Sequence, residues 1–172
     1  DTTWIKIPQT ANIIIEQIAN GKPKFSPDKK FTYSNSGFYL LARIIEKVTG
    51  LTYNENLQKR ICSKLQMRNT YSPPDNELKK NEANGYKLED GKWVGIPDNY
   101  FPNIVGVGDI LSTTTDLVIF IDALLDSKLT SQKSLRQMGG FACKNCVGMG
   151  LMKIPFYKRI GSGHRGDTFG TH

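Results

Sequence analysis

Long hydrophobic runs are missing from this 172-residue chain. Runs such as Ile13–Ile15 and Leu117–Ile121 fall far short of the roughly 20 apolar residues that a membrane-crossing helix needs. Cysteine is scarce as well: Cys62, Cys143 and Cys146 make an odd count of three. Cys143-Lys-Asn-Cys146 has CxxC spacing, but no second CxxC or HxxxH supplies the further ligands of a zinc site. It reads as a local disulfide or as two free thiols. Histidine occurs only at 164 and 172. No recognised nucleic-acid motif accompanies the basic residues, which argues against a DNA or RNA partner. No internal repeat is present, so solenoids and propellers are excluded. The first residue is Asp1, without a basic n-region or apolar h-region behind it; this reads as a processed chain or a piece of a longer one.

What is present suits a folded domain. Hydrophobic residues are 38% and charged residues 23%, and a chain of this length buries roughly two-thirds of its unfolded surface. Lys plus Arg outnumber Asp plus Glu by 23 to 16, for a net charge of +7. Such an excess suits a nucleic acid, an acidic substrate or an anionic surface. The cations fall in short knots (Lys22–Lys24, Lys29–Lys30, Lys79–Lys80, Lys158–Arg159) and read first as a solvated basic face.

Periodicity places the elements. Thr10–Asn20 predicts a helix with Ile14, Ile15 and Ile18 on one face and Gly21 closing it. Ser36–Thr49 predicts the clearest helix, with Leu40, Leu41, Ile44, Ile45 and Val48 as a continuous apolar stripe and Gly50 as its left-handed cap. Thr52-Tyr-Asn-Glu55 is a capping box for a helix in which Tyr53, Leu57, Ile61 and Leu65 step by four. The two helices should pack as a hairpin, and Cys62 reads as a small buried hydrophobe. Asn69–Asn84, with Pro73-Pro74, predicts a surface loop. Tyr86–Val94 predicts a β-hairpin around Glu89-Asp90-Gly91. A helix from Ser112–Thr115 through Leu125 should bury Leu117, Phe120, Ile121 and Leu124, and Ser131–Met138 is a short helix. Gly148–Lys153 and Lys158–Ser162 read as two strands turned at Ile154-Pro155-Phe156. Helices first and strands last make the fold class α+β rather than a parallel βαβ sheet. Residues 1–142 are then mainly helical, and 143–172 supply strands of an antiparallel sheet.

Two clusters carry candidate chemistry. In Phe31-Thr-Tyr33-Ser-Asn35-Ser-Gly37, Tyr33 and Asn35 lie two residues apart and in an extended stretch would point the same way. A phenol and a carboxamide on one wall suit proton transfer and amide binding. In Gly161-Ser-Gly163-His164-Arg165-Gly166-Asp167, His164 can change charge near neutrality, and its flanking glycines let a ligand approach the backbone.

Together the clusters resemble a family. Phe31-Thr-Tyr-Ser-Asn-Ser-Gly through Val48-Thr-Gly50 resembles the Tyr-x-Asn segment of penicillin-recognising serine hydrolases: class C β-lactamases, D-alanyl-D-alanine carboxypeptidases and related esterases. Leu65-Gln-Met-Arg-Asn-Thr70, Gly106-Val-Gly-Asp-Ile-Leu-Ser-Thr113 with Asp116-Leu117, and Gly163-His-Arg-Gly-Asp-Thr168 match further motifs of it, the last as a His-x-Gly version of Lys-Thr-Gly. The resemblance implies a β-lactamase/transpeptidase-like fold, present in part, from about residue 9 onward. It implies attack by a serine on an amide, β-lactam or ester carbonyl through an acyl-enzyme. Tyr33 and His164 are then catalytic. Asn35, Gly166 and the Asp167 backbone N–H bind substrate, the last in the oxyanion hole. A phenol ordinarily titrates near 10, so such a tyrosine needs cations beside it to work as a base.

The resemblance further implies no cofactor and no metal. The substrate is a small molecule or peptidoglycan peptide, and the location is outside the cytoplasm, where a Cys143–Cys146 disulfide would be at home. It leaves membrane anchoring and oligomeric state open. The sequence departs from the family at the nucleophile. Its one Ser-x-x-Lys, Ser26-Pro-Asp-Lys29, lies seven residues before Tyr33, where the family has an ordinary loop, so the nucleophile is expected outside the chain. Arg165 also stands where small residues are usual. As a surface cation it faces away from His164; on a twisted strand it could pair with a substrate carboxylate. The alternative function is a non-catalytic homologue that binds cell-wall peptides or a protein partner.

Overall fold

The computed structural model describes residues 3–77, 79–96, 99–139 and 148–167, with the side chains of Thr3 and Trp4 left aside. Cys143, Cys146, Thr168 and His172 lie outside these, and with them the question of the disulfide. The chain forms two compact units, Asp1–Lys59 with Tyr71–Leu111, and Arg60–Thr70 with Ser112–Asp167. Among the described residues the architecture is α+β: helices with two separate two-stranded antiparallel sheets, one between the helices and one after them.

In the first unit, α1 (Ala11–Ala19) starts where the Thr10 side chain accepts from the Ile13 amide. It ends on Asn20 in a right-handed conformation rather than on a glycine cap, and it buries Ile14 alone of its isoleucines. Helix α2 (Asn35–Thr49) is capped by the Ser34 side chain at the Gly37 amide and closed by Gly50 at φ 69°, a conformation that favours glycine. Its predicted stripe is not its buried face. Tyr39 and Ala42 are buried, whereas Leu41, Ile44, Ile45 and Val48 are 56%, 55%, 40% and 80% exposed. The reason lies in what packs there: Arg43 lies over the Tyr39 ring at 4.7 Å, and Gly106 abuts Ala42. Close approach selected the small residue, not the aliphatic ones.

Helix α3 (Tyr53–Leu57) has the full capping box of Thr52 and Glu55, worth about 1 kcal/mol. Glu46 ties it to α2 by accepting from the Tyr53 amide at 2.8 Å, and Asn56 donates to the Thr49 hydroxyl at 2.8 Å. The helix does not continue in steps of four. A π turn at Gln58–Cys62 precedes α4 (Ser63–Leu65), so the buried positions become Leu57, Cys62 and Met67, five apart, in place of Ile61 and Leu65. Hairpin strands β1 (Gly85–Glu89) and β2 (Lys92–Ile96) pair around Asp90-Gly91. Both turn residues have positive φ (47° and 74°), the pattern of a type I′ turn.

In the second unit, α5 (Thr114–Leu125) is capped by Thr113 and buries Asp116, Ala123 and Leu124. Leu117, expected inward, is exposed, because the polar Asp116 takes the inner position beside it. Helix α6 (Gln132–Met138) is capped by Ser131. Strands β3 (Met152–Phe156) and β4 (Arg159–Gly163) pair in the register Met152↔Gly163 to Phe156↔Arg159. The turn is therefore Tyr157-Lys158, not Ile154-Pro155-Phe156. Pro155 sits within β3 opposite Ile160, and Tyr157 at φ 50° makes the bend.

Candidate active site

The Tyr33 segment enters the site through the start of α2. Ser34 is the N-cap, with extended backbone, and Asn35 is the first helical residue. The stretch is thus not extended through Asn35, and the two-residue alternation expected of it stops at Ser34. Tyr33 and Asn35 nevertheless stand together at one helix N-terminus, both exposed. The Tyr33 ring lies 5.5 Å from that of Phe38, one turn into the helix, which orients the phenol against α2.

The preceding Ser26-Pro-Asp-Lys29 is a hydrogen-bonded turn. The Lys29 amide donates to the Ser26 carbonyl at 3.3 Å, and Asp28 is at φ 61°. No helix begins at Ser26, so it lacks the setting of a nucleophile at a helix N-terminus.

His164 follows β4 directly. Its Nδ1 lies 2.6 Å from the Arg165 carbonyl oxygen. A carbonyl only accepts, so Nδ1 carries a proton there. Arg165, Gly166 and Asp167 are exposed and lie outside the strand. Tyr33 and Asn35 belong to the first unit, His164, Gly166 and Asp167 to the second.

Each unit also holds buried polar residues that tie its loops together, Asp109 and Asp116 among them, both within motifs named from the sequence. Asp109, 1% exposed, accepts from the Gly106 amide at 2.8 Å and from the Ser72 hydroxyl. Burial pushes its carboxyl above the ordinary value, against the pull of those bonds and of Arg43. Ser72 is fixed in turn by its amide donating to Asn54. The motif Gly106–Asp109 is therefore a clamp behind α2. Asn103, also buried, accepts from the Gln9 amide and donates to the Ile5 and Ile7 carbonyls, pinning the N-terminal strap. In the second unit Asp116 accepts from the Asn69 amide (2.9 Å) and the Thr70 hydroxyl (2.8 Å), and Thr70 also meets Ser112 at 2.7 Å. The Asn69-Thr70 and Ser112–Asp116 motifs are thus two sides of one polar knot. Buried polar side chains near loops were the available signal; apolar periodicity does not register them.

Among the described residues no group of His, Cys, Asp and Glu could hold a metal ion. Nor is any described helix long and apolar enough to cross a membrane.

The sequence pattern that defines the family described as Beta-lactamase matches residues 4–167. The chain belongs to the beta-lactamase family. Among curated relatives, this beta-lactamase-family chain is 34% identical over 125 residues to PbpX of Bacillus subtilis (strain 168), which carries the name of a penicillin-binding protein; the match covers 72% of this chain and 32% of PbpX. It is 28% identical over 145 residues to the teichoic acid D-alanine hydrolase of Staphylococcus aureus, covering 82% and 36%. Among solved structures, D-amino acid amidase from Ochrobactrum anthropi SV3 superposes with a TM-score of 0.76 at 28% identity, over 91% of this chain and 50% of that one. The chain therefore spans about a third of the curated relatives' length and half of the solved amidase. Its fold is that of beta-lactamase-family hydrolases.

Proposed function

We propose that this chain is part of a serine hydrolase that cleaves amide, β-lactam or ester bonds through an acyl-enzyme, with the nucleophilic serine and its lysine outside residues 1–172. The observation that carries this reading is the Tyr33-Ser-Asn35 segment set at a capped helix N-terminus within a chain matched to the beta-lactamase family over residues 4–167. Tyr33 would pass a proton between nucleophile and leaving group, and Asn35 would bind the substrate amide. His164 would supply the cationic or basic partner on the strand side. Gly166 would let the acyl group lie along the backbone, and the Asp167 N–H would donate to the oxyanion. The relatives that act on D-alanyl and D-amino acid bonds favour a D-configured acyl group, and the reading includes export from the cytoplasm.

The test is covalent labelling of the intact parent protein with a fluorescent penicillin and with an alkyl fluorophosphonate, followed by peptide mapping. A labelled serine outside this segment, lost in a variant of that serine and slowed in Tyr33→Phe, is the expected result. A parent that resists both reagents, yet still binds cell-wall peptide, is a binding module and not an enzyme.

A further inference from the structure

Tyr33 is fastened to its own helix. It stands one residue before the Ser34 cap, and Phe38 is the fourth helical residue of α2. Apolar side chains at those two positions often pack together as a staple, fixing the angle at which the chain enters a helix. Here the two rings lie 5.5 Å apart between centroids, tilted by 36°, the geometry of an attractive aromatic pair. The direction of the phenol therefore depends on where Phe38 sits.

Phe38 is placed from behind. Gly106 presses on its carbonyl and on Ala42, one turn further along, leaving no room for a Cβ between them. The Gly106 loop is closed by one buried carboxylate. Asp109 accepts the Gly106 amide on Oδ1 at 2.8 Å and the Ser72 hydroxyl on Oδ2. The Ser72 amide donates to Asn54 Oδ1 at 3.0 Å. Asn54 is the second residue of α3, whose Tyr53 amide donates to Glu46 of α2. These contacts close a ring from the C-terminal half of α2 through α3, Ser72, Asp109 and Gly106 to Phe38 and Ala42. Every member belongs to one unit. Asp109 and Ser72 are both buried, so the carboxylate is sealed from any substrate and can act only through its neighbours.

We propose that Asp109 is a positioning residue for Tyr33: it holds Gly106 against α2 and, through Phe38, sets the direction of the phenol. The catalytic consequence rests on the hydrolase reading; the geometry does not. Asp109→Ala removes both acceptor oxygens. Asp109→Asn keeps an oxygen for the Gly106 amide and offers Nδ2 to the Ser72 oxygen, so it restores the clamp without the charge. What reaches Tyr33 along this route is packing.

The experiment puts fluorotyrosine in place of Tyr33 in the intact parent protein and records its fluorine NMR spectrum at a temperature where each variant is folded. Acylation by a fluorescent penicillin is timed alongside, in protein with the natural Tyr33. The expected result is one resonance displaced from that of free fluorotyrosine. It should move towards the free value in Asp109→Ala and in Phe38→Ala, and return in Asp109→Asn. The double variant Asp109→Ala/Phe38→Ala should match Phe38→Ala, since one residue acts through the other. The maximal acylation rate should fall by about 10- to 100-fold in Asp109→Ala, with the half-saturating penicillin concentration little moved. Asp116→Ala, which removes a buried acceptor from the other unit, should leave both readouts as they are. Should Asp109→Ala not fold, Ser72→Ala removes only the hydroxyl donor and should shift the resonance the same way, by less. An unmoved resonance overturns the proposal, as does an equal shift in Asp116→Ala or no return in Asp109→Asn. So does a shifted resonance with unchanged acylation. The spectrum needs no turnover, so a parent that resists penicillin yet shows this pattern loses the hydrolase reading and keeps the link from Asp109 to Tyr33.

Discussion

Gly106 approaches α2 so closely that a Cβ built on it would lie 2.6 Å from the Ala42 Cβ and 3.3 Å from the Phe38 carbonyl oxygen. Its φ of 74° adds a second reason for glycine. Gly106→Ala should therefore destabilise by about 3 kcal/mol, from left-handed strain together with overpacking. Ala42→Gly should relieve the steric part in the double variant, after its own helix cost of about 1 kcal/mol. Urea unfolding of the four proteins measures the coupling. Simple additivity would show that the two positions do not press on one another.

Asp109 makes stability depend on pH in a defined direction. Burial raises its carboxyl above 3.8 in the fold, so the folded state binds the proton more readily than the unfolded chain does. Its contribution is full below about pH 4 and is lost as pH rises through the folded value. Asp109→Asn should thus flatten this limb, and the difference in unfolding free energy between wild type and variant should change between pH 3 and 7. A constant difference would mean that Asp109 titrates alike folded and unfolded.

Asp116 accepts from the Asn69 amide and the Thr70 hydroxyl, so Asp116→Ala removes the acceptor of the Asn69 amide and leaves the Thr70 hydroxyl with Ser112 alone. The expected loss is about 3 kcal/mol. Asp116→Asn, which keeps one acceptor oxygen, should cost less. Thermal melts of the two variants should fall in that order.

Two phenols should ionise late. Tyr53 is pushed up to about 12 by burial and then by the Asp109 charge. Tyr71 is also pushed to about 12, by desolvation and by its 2.5 Å hydrogen bond to Glu82. Absorbance titration at alkaline pH should lose one late step in Tyr53→Phe and one in Tyr71→Phe. For both residues stability declines as pH climbs from about 10 towards 12, since only the unfolded chain releases the proton there.

On the proposed hydrolase reading, Tyr33→Phe in the parent protein should lower kcat by about 10²- to 10⁴-fold, the usual share of proton transfer. KM should move little by comparison. His164→Gln should act on the pH profile as well as on the rate. A Tyr33→Phe variant with unchanged acylation would remove Tyr33 from the chemistry.

Some caps were legible in the sequence: the Thr52–Glu55 box and the Ser112–Thr115 group, from which Thr113 caps α5, each lie beside a periodic run, where a side-chain oxygen has few other uses. The Asp90-Gly91 turn was legible for a similar local reason. The buried face of α2 was not. Two apolar sectors lie side by side on that helix, and only the distant Gly106 decides that Tyr39 and Ala42 take the inside. The π turn at Gln58–Cys62 escaped because a four-step pattern and a five-step pattern both find apolar residues there, at Ile61 and at Cys62. Of the candidate site, the residue types at 33, 35 and 164 were visible in the sequence. The clamp of Asp109 and Ser72 was not, since the two are far apart in sequence and neither is apolar.

Water touching Leu41, Ile44, Ile45 and Val48 has a calorimetric consequence. These side chains are already hydrated in the fold, so melting this chain exposes less new hydrocarbon than its length suggests. Its unfolding heat capacity should fall below the usual 12–15 cal/mol/K per residue, roughly. The stability curve should be correspondingly flat, with cooling and warming changing it little.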